Sequence, residues 1–131
     1  MNYKMAREFI ERKSEGIVLE LSKSTALLAE LKHPERYLKY IHIAGSNGKG
    51  SILSYIANVF IYAGYRVGCY ISPTLYSYRE RFQVNGEKIT RENYSFLAGI
   101  IAEAMKQLEA KGISRPSVFE LETVLCFLYF K

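Results

Sequence analysis

Ile41-His42-Ile43-Ala44-Gly45-Ser46-Asn47-Gly48-Lys49-Gly50-Ser51 joins a short apolar run to three glycines, a lysine and two serines. A helix-like pattern follows at once. Strand, glycine loop and helix in that order present backbone N–H groups and a helix N-terminus to a phosphate. Glycines allow positive φ and close approach of the backbone, and lysine adds a compact positive charge. The stretch therefore predicts a nucleotide triphosphate site.

Downstream, Ile52, Tyr55, Ile56, Val59, Phe60 and Ala63 recur as on a helix with one face on a sheet, and Gly64 stops it. Val67 to Ile71 reads as a second strand parallel to Tyr40–Ala44, which would make one βαβ unit. His42, between Ile41 and Ile43, reads as a satisfied histidine beside that sheet. Residues 72–90 form a long loop closed by a small hairpin, Phe82 to Ile89, turning at Asn85-Gly86. Thr90 caps a helix whose stripe is Phe96, Leu97, Ile100, Ile101, Ala104 and Leu108, ending at Lys111-Gly112. Val118 to Phe130 is a buried helix after a short extended lead-in, with a strand as the competing reading for Leu125–Phe130.

Upstream, residues 3–13 make a short helix broken at Gly16. Ile17 to Leu31 makes a second, with Ser22 and Ser24 as possible caps, ending at His33-Pro34. His33 reads as a surface residue there.

The 131 residues suit one compact domain, 49% hydrophobic and 24% charged, with no linker or repeat. Eighteen Lys/Arg against 13 Asp/Glu give a net charge of +5, but no basic run concentrates it. A basic recognition helix is missing, so nucleic acid is not an expected partner. Cys69 and Cys126 lack metal spacing and read as buried free thiols. No uncharged stretch reaches the roughly 18 residues of a membrane span, and residues 1–13 lack an apolar signal core. A soluble, cytoplasmic protein without membrane partners is expected.

The loop does not match G-x-x-x-x-G-K-[ST], because Ile43 and Gly50 occupy its first and last positions. Nor is it G-x-G-x-x-G. Taken with Gly64-Tyr65-Arg66-Val67-Gly68, Ser72-Pro73, Glu80-Arg81-Phe82 and Phe119-Glu120, however, Gly45 to Ser51 resembles folylpolyglutamate synthase and dihydrofolate synthase, of the Mur ligase superfamily. The resemblance runs over essentially the whole chain. It implies an α/β, three-layer P-loop-type fold with a parallel sheet, and an ATP- and Mg²⁺-dependent ligase. In such enzymes ATP phosphorylates a carboxylate of dihydropteroate or folate, and the glutamate amine displaces phosphate.

Carried over by resemblance, Gly45, Ser46, Asn47, Gly48, Lys49, Gly50 and Ser51 bind ATP, with Lys49 catalytic on the terminal phosphates. Ser72 and Glu120 are Mg²⁺ ligands, which would explain the missing hydroxyl after Lys49. On the residues alone, the alternative readings are a turn-shaping role for Ser72 and a helix N-terminal cap for Glu120. Arg81 and Thr74 belong to a substrate loop, although Thr74 stands where the family usually has histidine. The chain is expected to be an N-terminal fragment of the ATPase domain, a single unit without the second domain, a further Mg²⁺-binding histidine or the modified lysine. The apolar last helix would then be exposed and favour self-association. A catalytically inactive nucleotide- or phosphate-binding module is the alternative reading.

Overall fold

The structure is a computed structural model that describes residues 1–14 and 21–131. The expected break at Gly16 and the start of the second helix lie outside the described residues. The elements are α1 (Tyr3–Glu11), α2 (Ser22–Glu30), α3 (Lys49–Tyr62), β1 (Gly68–Tyr70), β2 (Phe82–Val84), β3 (Glu87–Lys88), α4 (Arg91–Ala110) and α5 (Val118–Phe130). They fall into two compact units: residues 1–38 with 90–129 and 131, and residues 39–89 with 130.

The first unit is helical. Asn2 caps α1 by accepting the Met5 N–H at 2.9 Å, and Ala6 and Ile10, one turn apart, are buried. Thr90 caps α4 as expected, accepting the Asn93 N–H at 3.1 Å. Gly112, at φ 79°, ends α4 in a Schellman motif: Ile113 N–H bonds to Leu108 O and Gly112 N–H to Glu109 O, both at 3.0 Å. The same two bonds end α2, but there the left-handed residue is Lys32 (φ 61°), followed by His33 at 52°. Neither Ser22 nor Ser24 caps α2; the N-cap is Leu21, without a side-chain bond. The buried stripe of α4 is Tyr94, Ala98, Ile101, Met105 and Leu108, while Phe96 is exposed. The expected stripe missed Tyr94, whose ring packs edge-on against Tyr3 at 5.4 Å.

Arg115 ties the start of the unit to its end. It is 8% exposed, and its guanidinium donates to the carbonyls of Phe9, Ile10 and Arg12 and lies 4.5 Å over the Phe9 ring. Those carbonyls belong to the last turn of α1 and its C-cap, which have no intrahelical donors of their own.

α5 is a helix throughout, which settles the strand alternative for residues 125–130. Leu121, Val124, Leu125 and Cys126 are buried and Phe127 to Phe130 are half-buried. The expected exposed last helix is thus corrected. Of α5 only its start exposes a large apolar side chain, Phe119, whereas Ile52, Tyr55, Val59 and Tyr62 of α3 are all exposed. The expected packing stripe of α3 is corrected with it: of this helix only Ala57 is buried.

In the second unit β1, β2 and β3 form an antiparallel sheet in that order, with Cys69 opposite Gln83 and Gln83 opposite Lys88. Asn85 (φ 51°) and Gly86 (φ 79°) both lie at positive φ, as a two-residue type I′ turn demands. Asn85 also closes the sheet end: its Oδ1 accepts the Val67 N–H and its own N–H donates to Val67 O, both at 2.8 Å. Phe82 is buried between Tyr70, stacked at 6.0 Å, and Tyr78, edge-on at 5.6 Å.

Residues 40–44 pair with no strand among the described residues, so the expected parallel βαβ pairing is not part of this sheet, and His42 is exposed. An apolar run becomes a strand only when a neighbour takes up its N–H and C=O groups. β1 instead finds its partner in the hairpin that follows it.

Gly68 faces the ring of Phe130, and an added Cβ would sit 2.5 Å from Phe130 Cγ. Gly68→Ala should therefore destabilise the chain by about 1–3 kcal/mol, the usual cost of overpacking. A urea midpoint equal to that of the parent would contradict this.

Candidate phosphate-binding site

The site begins where the second unit's loop enters α3. Gly45 and Gly48 lie at φ 149° and 76°, which only glycine adopts without strain, and no atom lies within 4 Å of a Cβ built on Gly45, Gly48 or Gly50. Gly48 is the N-cap of α3, and having no side chain it caps nothing. The N–H groups of Lys49, Gly50 and Ser51 open the helix, where donors have no intrahelical acceptor, and no side-chain cap takes their place. They share that end with the positive pole of a 14-residue helix and the Lys49 ammonium. All seven residues from Gly45 to Ser51 are solvent-exposed. This geometry suits an anion.

Gly48, Lys49 and Gly50 also line an open cavity of about 460 Å³. Ser72 and Pro73 follow β1 at the same cavity, and its apolar wall includes Leu53, Ala57, Ile61 and Ile71. Gln83, Cys69 and Asn58 line it too, and none was singled out as a site residue from sequence. The hairpin register places Gln83 directly opposite Cys69, a pairing visible only once β1 and β2 are joined.

Ser72 is exposed, its peptide bond to Pro73 is cis, and its Oγ accepts a hydrogen bond from Arg81 Nη1 at 3.4 Å. Arg81 is half-buried with its guanidinium 5.5 Å over the Tyr78 ring. Thr74 is half-buried in the same segment. The expected loop thus contains a short 3-10 turn over residues 78–81, which carries Arg81.

Glu120 lies in the first unit. It is the third residue of α5 and completes a capping box: Ser117 Oγ accepts the Glu120 N–H at 3.3 Å, and Glu120 Oε2 accepts the Ser117 N–H at 2.7 Å. Its Oε1 accepts a hydrogen bond from Ser24 Oγ. Burial alone would raise its pKa, but the Ser24 hydroxyl, the Ser117 hydrogen bonds and the Lys23 charge outweigh burial and hold it below the ordinary value. The carboxylate is therefore ionised at neutral pH. Ser117-Val118-Phe119-Glu120 is the S-x-x-E signature, the one sequence signal that foretold this arrangement.

A hydroxyl and an ionised carboxylate are hard oxygen donors of the kind Mg²⁺ takes. Both Glu120 oxygens are engaged at the start of α5, Oε1 by Ser24 and Oε2 by Ser117, so the surroundings of this carboxylate are those of a helix cap. Among the described residues no group of three or more His, Cys, Asp or Glu comes together as a metal site.

Both cysteines are free, Cys69 half-buried and Cys126 buried. Burial raises the Cys69 thiol, and burial followed by the Glu122 charge raises Cys126 well above the usual value. Raised thiol values mean little thiolate, the reactive form, near neutral pH. Iodoacetamide at pH 7.5 should leave Cys126 unmodified in the folded chain and label it in urea. Rapid labelling without denaturant would contradict the packing.

No helix among the described residues is long and apolar enough to cross a membrane. No protein-family model matches the chain. It is 36% identical over 129 residues to the dihydrofolate synthase/folylpolyglutamate synthase of Bacillus subtilis, covering 98% of this chain and 30% of that protein. Its fold matches folylpolyglutamate synthase from Thermotoga maritima with a TM-score of 0.87 at 35% identity, over 98% of this chain and 30% of that one. An FPGS–AMPPCP–folate complex matches with a TM-score of 0.92 at 28% identity, over 99% of this chain and 32% of that one. The chain thus spans about a third of the length of these proteins. Sequence and fold agree over nearly all of its residues, and the chain belongs to the folylpolyglutamate synthase/dihydrofolate synthase family.

Proposed function

We propose that this chain is part of the ATP-binding domain of a ligase that adds L-glutamate to folates or dihydropteroate. The observation that carries the reading is the uncapped N-terminus of α3, with Lys49 beside it and glycines at positive φ before it. The similar structure bound to AMPPCP and folate supports the same ligands for this chain.

In this reading Asn47 to Ser51 cradle the ATP phosphates through backbone N–H groups, and the Lys49 ammonium offsets charge on the transferred phosphoryl group. A carboxylate is a poor electrophile, and its phosphorylation supplies a leaving group. The substrate carboxylate oxygen attacks the γ-phosphorus and ADP leaves. The amine of glutamate then attacks the acyl carbon, expels phosphate and forms the amide. When bound, Mg²⁺ supplies charge neutralisation on the phosphates. Ser72 would offer it an oxygen, Glu120 is the further ligand that the family resemblance implies, and Arg81 and Thr74 belong to the substrate loop.

The test is incorporation of radiolabelled glutamate in a protein carrying this sequence at the length of its relatives. Incorporation that requires ATP, Mg²⁺ and a folate or dihydropteroate is the expected result. Nucleotide binding with no incorporation would instead support a phosphate-binding module.

A further inference from the structure

We infer that residues 41–44 and the outer face of α3 receive β-strands from the part of the protein that its relatives' length carries beyond this sequence. The inference rests on the reading of the chain as part of an ATP-binding domain. Its first observation is an open strand. Ile41, His42 and Ala44 are exposed, Ile41 by 60%, and among the described residues no backbone hydrogen bond joins residues 41–44 to any other. Proteins blunt a lasting sheet edge with lysine, proline, a bulge or an inward charge. Ile41-His42-Ile43-Ala44 carries no lysine, proline or acidic residue. Such a stretch is built to be paired.

The second observation is a helix with apolar residues on opposite sides. Leu53, Ala57 and Ile61, four residues apart, face the cavity beside β1. Ile52, Tyr55, Val59 and Tyr62 form the opposite stripe, and all are exposed, Tyr55 by 73% and Val59 by 67%. A helix that is apolar on both sides is characteristically a buried one. One arrangement answers both observations. A helix that follows a strand packs back across that strand's sheet, and parallel sheets are covered on both faces. Strands laid beside residues 41–44 take up the open N–H and C=O groups and cover the outer stripe of α3 at once.

Two features select strands of the same protein over a second copy of this chain. Residues 41–44 are open along both edges, whereas two copies related by a two-fold axis join one edge each and leave the other open. The relatives also have the chain to supply such strands: this sequence spans 30% of the Bacillus subtilis protein to which it is 36% identical.

The experiment is hydrogen–deuterium exchange, read by mass spectrometry, on the protein at the length of its relatives beside the 131-residue chain. The amides of residues 41–44 are expected to exchange on the order of 100-fold more slowly in the longer protein. Ile41→Lys gives a second readout. It should leave the melting temperature of the shorter chain within about 1 °C, and lower that of the longer protein by about 5 °C or more, because there the lysine is buried. Equally fast exchange at residues 41–44 in both proteins would overturn the inference, and so would a longer protein indifferent to Ile41→Lys. Slow exchange already present in the shorter chain, and growing with its concentration, would overturn it in favour of a second copy. Glutamate incorporation by the longer protein is scored separately. Protection without incorporation would keep this inference and remove the proposed activity, and incorporation without protection would do the reverse.

Discussion

Replacing Lys49 by alanine should weaken ATP binding on the order of 10- to 100-fold, the range expected for one charge-assisted contact to phosphate. The chain should stay as stable as the parent. Lys49 is exposed at the first position of α3, and alanine is the best helix former, so the substitution leaves the fold untouched. The loss should grow with the number of phosphates: large for ATP, smaller for ADP and slight for AMP. A direct contact to the phosphate chain predicts a gradient that persists in high salt, whereas a general electrostatic effect of one lost cation on a +5 chain is screened away. Fluorescent-nucleotide titration of Lys49→Ala against all three nucleotides measures it. Equal affinity in parent and variant would remove Lys49 from the site.

The second large effect is on stability. Arg115→Ala should cost about 2–4 kcal/mol, because it leaves the buried Ile10 carbonyl and the part-buried Phe9 and Arg12 carbonyls at the end of α1 without this donor and also removes the guanidinium stacked on Phe9. Lysine should recover only part of that. A point-like ammonium on a flexible stem cannot reach three carbonyls in the plane that the guanidinium spans. Urea unfolding of Arg115→Ala, Arg115→Lys and the parent decides this, and an Ala variant within about 0.5 kcal/mol of the parent would contradict it.

Neither the contacts of Arg115 nor the bond from Ser24, read from sequence as a possible cap, to Glu120 was legible in the sequence, and for the same physical reason. Their partners lie about a hundred residues away, and no periodicity or spacing encodes such a pair. What the sequence did disclose was local. The Asn85-Gly86 turn, the Thr90 cap, the Gly64 and Gly112 ends and the helix after Gly48 each depend on a residue's own backbone preference. The Gly64 end carries its apolar seal as well, Phe60 packing edge-on against Tyr65 at 5.5 Å.

Readings that needed a partner fared differently. Ile41 and Ile43 have the composition of a strand, but strand identity resides in the neighbour, and among the described residues they have none. The stripe Ile52, Tyr55 and Val59 has the spacing of a packed face, yet all three side chains are exposed. The last helix erred in the opposite direction, because an apolar run does not reveal how much of it the same chain covers. At the site, the glycine loop was readable from its residue types, whereas the hydrogen bonds of Ser72 to Arg81 and of Glu120 to Ser24 became visible only in three dimensions.

The most direct test of the central claim, that the open end of α3 receives the phosphates of ATP, is isothermal calorimetry of the folded chain with ATP, with and without Mg²⁺. Saturable binding at one site, strengthened by Mg²⁺, is the predicted result. A folded chain that releases no heat with millimolar ATP in either condition would contradict it.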